Sequence, residues 1–135
     1  MKSELPISFA LLVGVLTVCG TAFAHHGATS YTSNVVVLKD ATVTKFVWAN
    51  PHTIVLFDVK DDNGNVSHWA GEAGSPSAVG LLGWTKSSLQ PGDVITVYIY
   101  PAKSGSPVGR LNKIVFADGK TLRDSQLGGD NPKVH

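Results

Sequence analysis

The hydrophobic and polar positions divide the chain into one apolar block, a run of short alternating segments and two polar ends. Ile7 to Val18 is continuously apolar or small. From Val35 the texture changes to β-branched and aromatic residues broken by turn formers. Val35 to Trp48 reads as one long strand, with a bend or bulge at Lys39-Asp40. Asn50-Pro51 is a turn signal. Thr53 to Lys60 and Val66 to Glu72 read as two strands joined by the loop Asp61-Asp62-Asn63-Gly64-Asn65, in which Gly64 supplies a positive φ. Ser75 is a helix cap and Pro76 suits the first helical position. Ala78, Val79, Leu81 and Leu82 then give one apolar face of a helix of roughly two turns, with Gly83 as its stop and Thr85 as the cap of a further turn through Leu89. Pro91-Gly92-Asp93 turns the chain into a strand over Val94–Tyr100. A Gly/Ser/Pro loop over Pro101–Gly109 leads to a last strand, Arg110–Phe116, closed by the Asp118-Gly119 turn.

The expected fold class is therefore all-β with one short helix. The order β-β-β-α-β-β is that of a small five-stranded OB-like Greek-key barrel. In such barrels the connections between strands one and two (Ala49 to His52) and between strands four and five (Pro101 to Gly109) flank the ligand face. The domain reading is a signal peptide at 1–24, an N-terminal arm at 25–34, the barrel at 35–123 and a flexible tail at 124–135. No internal repeat or linker divides it.

Composition changes the picture mainly by exclusion. The 135 residues carry a net charge of +1, which lacks the basic stripe that neutralises phosphates and argues against nucleic acid. The single cysteine, Cys19, rules out an internal disulfide and any CxxC motif. Lys2, the apolar run and Ala22-Phe23-Ala24 form a secretory signal with cleavage expected after Ala24. The run is too short for a transmembrane helix, so no transmembrane anchor is expected after processing and the destination is periplasmic or secreted. A lipoprotein signal at Cys19 is the alternative, disfavoured because Val18 precedes the cysteine where a small residue is usual.

Export matters because it makes His25 an amino terminus. A terminal amine and the imidazole of the same residue can chelate one metal ion, and a second imidazole completes a three-nitrogen histidine brace. Amine and imidazole nitrogens suit Cu(II) or Zn(II). Losing residues 1–24 removes the only cysteine and the only methionine, so no soft sulfur ligand remains. His25, His26 and His52 are the candidate metal ligands. Pro51 restricts the turn from which His52 projects. The plain alternatives are a solvated polar start for His25-His26 and a backbone-bonded structural imidazole for His52. His68 shares a strand face with Val66, Ala70 and Glu72, and pairing with Glu72 is expected.

Trp48, Asn50, Trp69, Glu72 and Trp84 are candidate ligand-surface residues, the tryptophans with core packing as their commoner role. Asp61-Asp62-Asn63-Gly64 lacks the twelve-residue calcium pattern. No Ser-His-Asp order, phosphate-cradling glycine loop or HExxH motif occurs, and no catalytic residue is assigned.

Taken together, Ala24-His25-His26, the run Thr42 to His52 with Trp48-Ala49-Asn50-Pro51-His52, Trp69 with Glu72, Gly74-Ser75-Pro76, Gly83-Trp84-Thr85 and Leu89-Gln90-Pro91-Gly92-Asp93 form a specific combination. It resembles the bacterial exported proteins grouped as domain-of-unknown-function family 6152, across nearly all of the processed chain. Gly27 stands where members typically carry serine, and Ala41 where they often carry glycine. The resemblance implies an exported β-barrel-like domain and makes His25, His26, Asn50 and His52 motif positions. It implies no activity.

Two functions are expected to compete. One is a periplasmic metal-binding module for Cu(II) or Zn(II). The other is a metal-free OB-type recognition module for a peptide, glycan or small ligand. An enzyme is not expected, a copper-dependent oxidative enzyme being the remote variant.

Overall fold

The computed structural model describes residues 30–125. The elements are β1 (Val36–Val47), β2 (Ile54–Lys60), β3 (Val66–Glu72), α1 (Pro76–Gly80), β4 (Val94–Pro101), β5 (Val108–Phe116) and β6 (Thr121–Arg123). The first five strands close into a barrel in the order β1-β2-β3-β5-β4, with β4 returning to β1. Every pairing is antiparallel except β3 with β5. This arrangement is compatible with the OB-like Greek-key expectation. Beyond it, β6 adds an outer strand against Lys113–Val115 that the hydrophobic pattern did not predict.

β1 is long because it serves two neighbours, pairing with β4 through Val36–Thr42 and with β2 through Thr42–Val47. The strand must bend to do so. Its register shifts between Leu38 and Ala41, and Asp40 adopts a φ of 53°, a left-handed conformation that aspartate tolerates better than most side chains. The expected bend at Lys39-Asp40 is present, made by the aspartate rather than a glycine.

Inward-facing strand residues fill the interior, in alternation along β2 and β4. Val43, Val55, Phe57, Ile95, Val97, Ile99, Leu111 and Ile114 are buried, and Leu122 of β6 joins them. Val79, Trp84 and Leu89 join the same core. α1 begins where expected, with Ser75 Oγ accepting from the Ala78 amide at 3.3 Å and Pro76 in the first turn. It is shorter than the expected two turns. Only Val79 of its face is fully buried and Leu81 is 85% exposed, so a second turn would have little apolar surface to bury. Gly83, at φ +91°, instead turns Trp84 into the core.

The barrel closes through two glycines. Gly71 of β3 lies opposite Gly109 of β5. A Cβ at Gly71 would sit 2.6 Å from Leu111 Cδ2, and one at Gly109 would sit 2.6 Å from the Tyr100 carbonyl oxygen. At Gly71 the missing side chain makes room for Leu111 of β5, and at Gly109 it lets the chain lie close against Tyr100 and Ile99 of β4.

Candidate functional site

His52 lies between a cis Asn50–Pro51 bond and β2. The backbone on either side is clamped to the end of β3: the Thr53 amide donates to the Gly74 carbonyl at 3.0 Å, and the Ala73 amide to the Thr53 carbonyl at 2.8 Å. The ring is thereby held over Glu72. With a proton on Nδ1 it donates to Glu72 Oε1 at 3.1 Å and to the Ala73 carbonyl at 3.3 Å.

The other carboxylate oxygen of Glu72 is used from a different direction. Tyr31, in the arm, donates its hydroxyl to Glu72 Oε2 at 3.0 Å. Its backbone forms an antiparallel bridge with Ala102, supported by Thr32 N–H to the Pro101 carbonyl (2.8 Å) and Lys103 N–H to the Ser30 carbonyl (3.0 Å). Burial, then the hydrogen bond and negative charge of Glu72, push the Tyr31 phenol up to about 12, with Arg110 partly opposing. Arg110 lies opposite Glu72 in the β3–β5 register. It also pairs with Asp124 Oδ2 at 3.0 Å, whose Oδ1 accepts the Gly74 amide at 2.7 Å. The Asp124 side chain is only 4% exposed. Asp124 anchors the last described turn to the Gly74 end of the site.

His68 does not pair with Glu72. Its Nδ1 lies 2.6 Å from Asp58 Oδ1, its direct cross-strand partner on β2. Glu72 is four residues further along β3, about 13 Å away at strand rise, while a cross-strand pair is separated by about 5 Å. The outer face of β2 and β3 thus carries a histidine–carboxylate pair at each end, with Leu56 and Ala70 between. An open groove of about 410 Å³ lies there, lined by Thr44, Leu56, Asp58, His68 and Ala70 and edged by Pro107 and Val108.

The aromatic candidates separate. Trp69 lines that groove and stacks on Phe57 at 6.3 Å between centroids. Trp48 is half-buried, packing on Phe46 at 5.9 Å. Trp84 is 2% exposed and its indole N–H donates to the Arg123 carbonyl at 2.8 Å. It is a core residue and offers no ligand surface. Asn50 is exposed in the turn. His25, His26, the Ala24 cleavage position, Cys19 and His135 lie outside the described residues. Among the described residues, no group of three or more His, Cys, Asp or Glu side chains is arranged to hold a metal ion. No described helix is long and apolar enough to cross a membrane.

Comparison with known families finds a match over residues 12–112 to one described as a family of unknown function, DUF6152. The chain belongs to that family. No curated protein and no solved structure matches it. Membership in DUF6152 brings no chemistry with it, so the functional reading rests on the linked side chains Tyr31, Glu72 and His52. Pattern reading marks His52 and Glu72, and Asp58 only as an available acid, but does not mark Tyr31, Arg110 or Asp124. Tyr31 did carry a signal, as the one aromatic residue in an otherwise polar arm.

Proposed function

We propose that this DUF6152 protein is exported and binds one divalent transition metal ion, Cu(II) or Zn(II). The ligands are the amine and imidazole of His25 freed by cleavage after Ala24, with His26 and His52. The role is metal carriage or buffering, not catalysis.

The observation that carries this reading is the Tyr31–Glu72–His52 line. Tyr31 ties the arm to the carboxylate that holds His52. His25 precedes Tyr31 by six residues, so the freed amine is tethered within about 20 Å of the Tyr31 backbone even in a fully extended arm. Closing so short a loop onto His52 has a modest entropic cost. Glu72 also suits the role of an orienting partner. A ligating histidine usually donates its other ring N–H to a carboxylate or carbonyl, which sets the tautomer and raises ligand basicity. His52 Nδ1 faces both kinds of acceptor.

Titration calorimetry of processed protein with Cu(II) tests the proposal. Binding at one equivalent is expected, weakening as the pH falls because amine and imidazoles must be deprotonated. An added alanine before His25 displaces the amine from its chelate and is expected to lower affinity at least tenfold. Equal affinity in that variant excludes the terminal chelate.

A further inference from the structure

We infer that the open edge of β3 at Val66–His68 is a docking site for an extended peptide, which adds to the barrel as a strand. This gives the recognition alternative a location and a ligand class, and it is independent of the metal site.

Hydrogen-bond parity sets which β3 residues face away from β2. In the β2–β3 hairpin the Asp61 amide donates to the Asn65 carbonyl at 2.9 Å. Counting back by alternation, Val59/Ser67 and Phe57/Trp69 are the hydrogen-bonded pairs. Lys60/Val66, Asp58/His68 and Leu56/Ala70 are the pairs whose β3 members point their N–H and C=O away from β2. Ala70 confirms the parity from the other end, because its amide donates to the Pro107 carbonyl at 3.0 Å.

β5 satisfies only part of this outward row. Its pairing with β3 covers Ala70, Gly71 and Glu72 and goes no further. Pro107 has no N–H to offer, and the Val108 amide turns back to the Ser106 carbonyl at 2.7 Å. The loop therefore leaves β3 at Ala70. Among the described residues, Val66 and His68 are left with outward backbone donors and acceptors and no strand beside them. Two residues apart on one strand, these groups repeat at about 6.7 Å. That spacing and alternation of donor and acceptor is the complement of another strand's backbone, not of a sugar or a compact small molecule.

The flanking surface agrees. Val66 and Val108 are exposed apolar residues on the two banks of the gap, and the groove floored by Leu56 and Ala70 adjoins it. His68 is 81% exposed and its ring is oriented by Asp58, which gives the edge one polar contact for a peptide side chain. The edge is short and bordered by Lys60, Asp61 and Asp62, features that discourage indiscriminate pairing between copies.

The test uses full-length processed protein in EDTA, so that metal plays no part. The probes are a capped hexapeptide of alternating threonine and valine and the same sequence N-methylated at every residue. Amide NMR is expected to show the Val66 and His68 signals shifting and exchanging more slowly on addition of the first peptide. The methylated peptide keeps the side chains but has no N–H donors, and is expected to bind about tenfold more weakly, as the loss of two net hydrogen bonds implies. In His68→Pro, which removes a donor only from the open side, the weakening should recur for the unmethylated peptide. Equal affinity of the two peptides at the groove overturns strand addition while leaving side-chain recognition standing. Absence of binding, or shifts confined to other surfaces, overturns the docking site. Self-association through Val66–His68 without peptide assigns the edge to a second copy and also overturns it.

Discussion

Glu72 holds Tyr31 with one carboxylate oxygen, at 3.0 Å, and His52 with the other, at 3.1 Å. One side chain on the outer face of β3 therefore joins the arm that follows His25-His26 to the loop that presents His52. Removing it should separate the two. Glu72→Gln keeps the size and an acceptor but loses the charge, and is expected to weaken Cu(II) binding by about tenfold, the low end for the loss of a carboxylate partner to a ligating histidine. Calorimetry of the variant, with circular dichroism to confirm folding, checks this.

Tyr31 gives the same contact a pH signature. Its phenol is raised from 10 to about 12, chiefly by burial and then by Glu72. A group whose folded pKa lies above its unfolded value contributes stability fully below the unfolded pKa and loses it as the pH rises through the folded one. The stability that the arm contact contributes is therefore full below pH 10 and declines between about 10 and 12. Ultraviolet titration of phenolate absorbance should show a last transition near 12 that Tyr31→Phe abolishes.

Asp61 behaves in the opposite sense. The Asn65 side-chain amide first, then backbone amides of the hairpin loop, hold its carboxyl below the ordinary 3.8. The loop contacts are present above that value and are lost as the pH falls through the depressed pKa. Carboxyl-carbon NMR should place the Asp61 midpoint below 3.8, and Asn65→Ala should move it upward.

Asp124 is a structural anchor. With its side chain 4% exposed and shared between the Gly74 amide and Arg110, Asp124→Ala leaves a half-buried amide unsatisfied and should cost about 2 kcal/mol in denaturant unfolding. Arg110→Ala should cost less, because Asp124 keeps its bond to Gly74.

Gly109 has no room for a side chain. Gly109→Val forces a branched side chain against the Tyr100 backbone at 2.6 Å and against Ile99. Overpacking of this kind costs about 3 kcal/mol when backbone has to move. At Gly71 the obstruction is the flexible Leu111 side chain, so Gly71→Ala should be milder. Chemical denaturation of both variants checks the order.

The fold was readable where local chemistry and periodicity agreed. β3 begins and ends where its pattern of apolar and turn residues places it, and the Ser75-Pro76 start of α1 follows from capping alone. The failures have particular causes. β6 is three residues long, too short to show an alternation, and is held by tertiary pairing. α1 stops early because the Leu81 side chain finds no core. For His68 the pattern gives the right face but the wrong partner, since facing in one direction along a strand does not make residues neighbours, whereas sitting across from each other does. The Gly71–Gly109 seam depends on strands brought together from distant sequence and left no local trace. Of the site, the pattern marked the two loop and strand residues but not the tyrosine that connects them to the arm.

The central claim is that the processed amino terminus and His52 share one metal ion. Its most direct test is the Cu(II) dissociation constant of processed protein, at near-neutral pH, set beside that of its His52→Ala variant. Loss of one imidazole from a shared site should weaken binding at least tenfold while leaving a residual site on the amine, His25 and His26. Identical constants in the two proteins would show that His52 holds no part of the metal and would contradict the account.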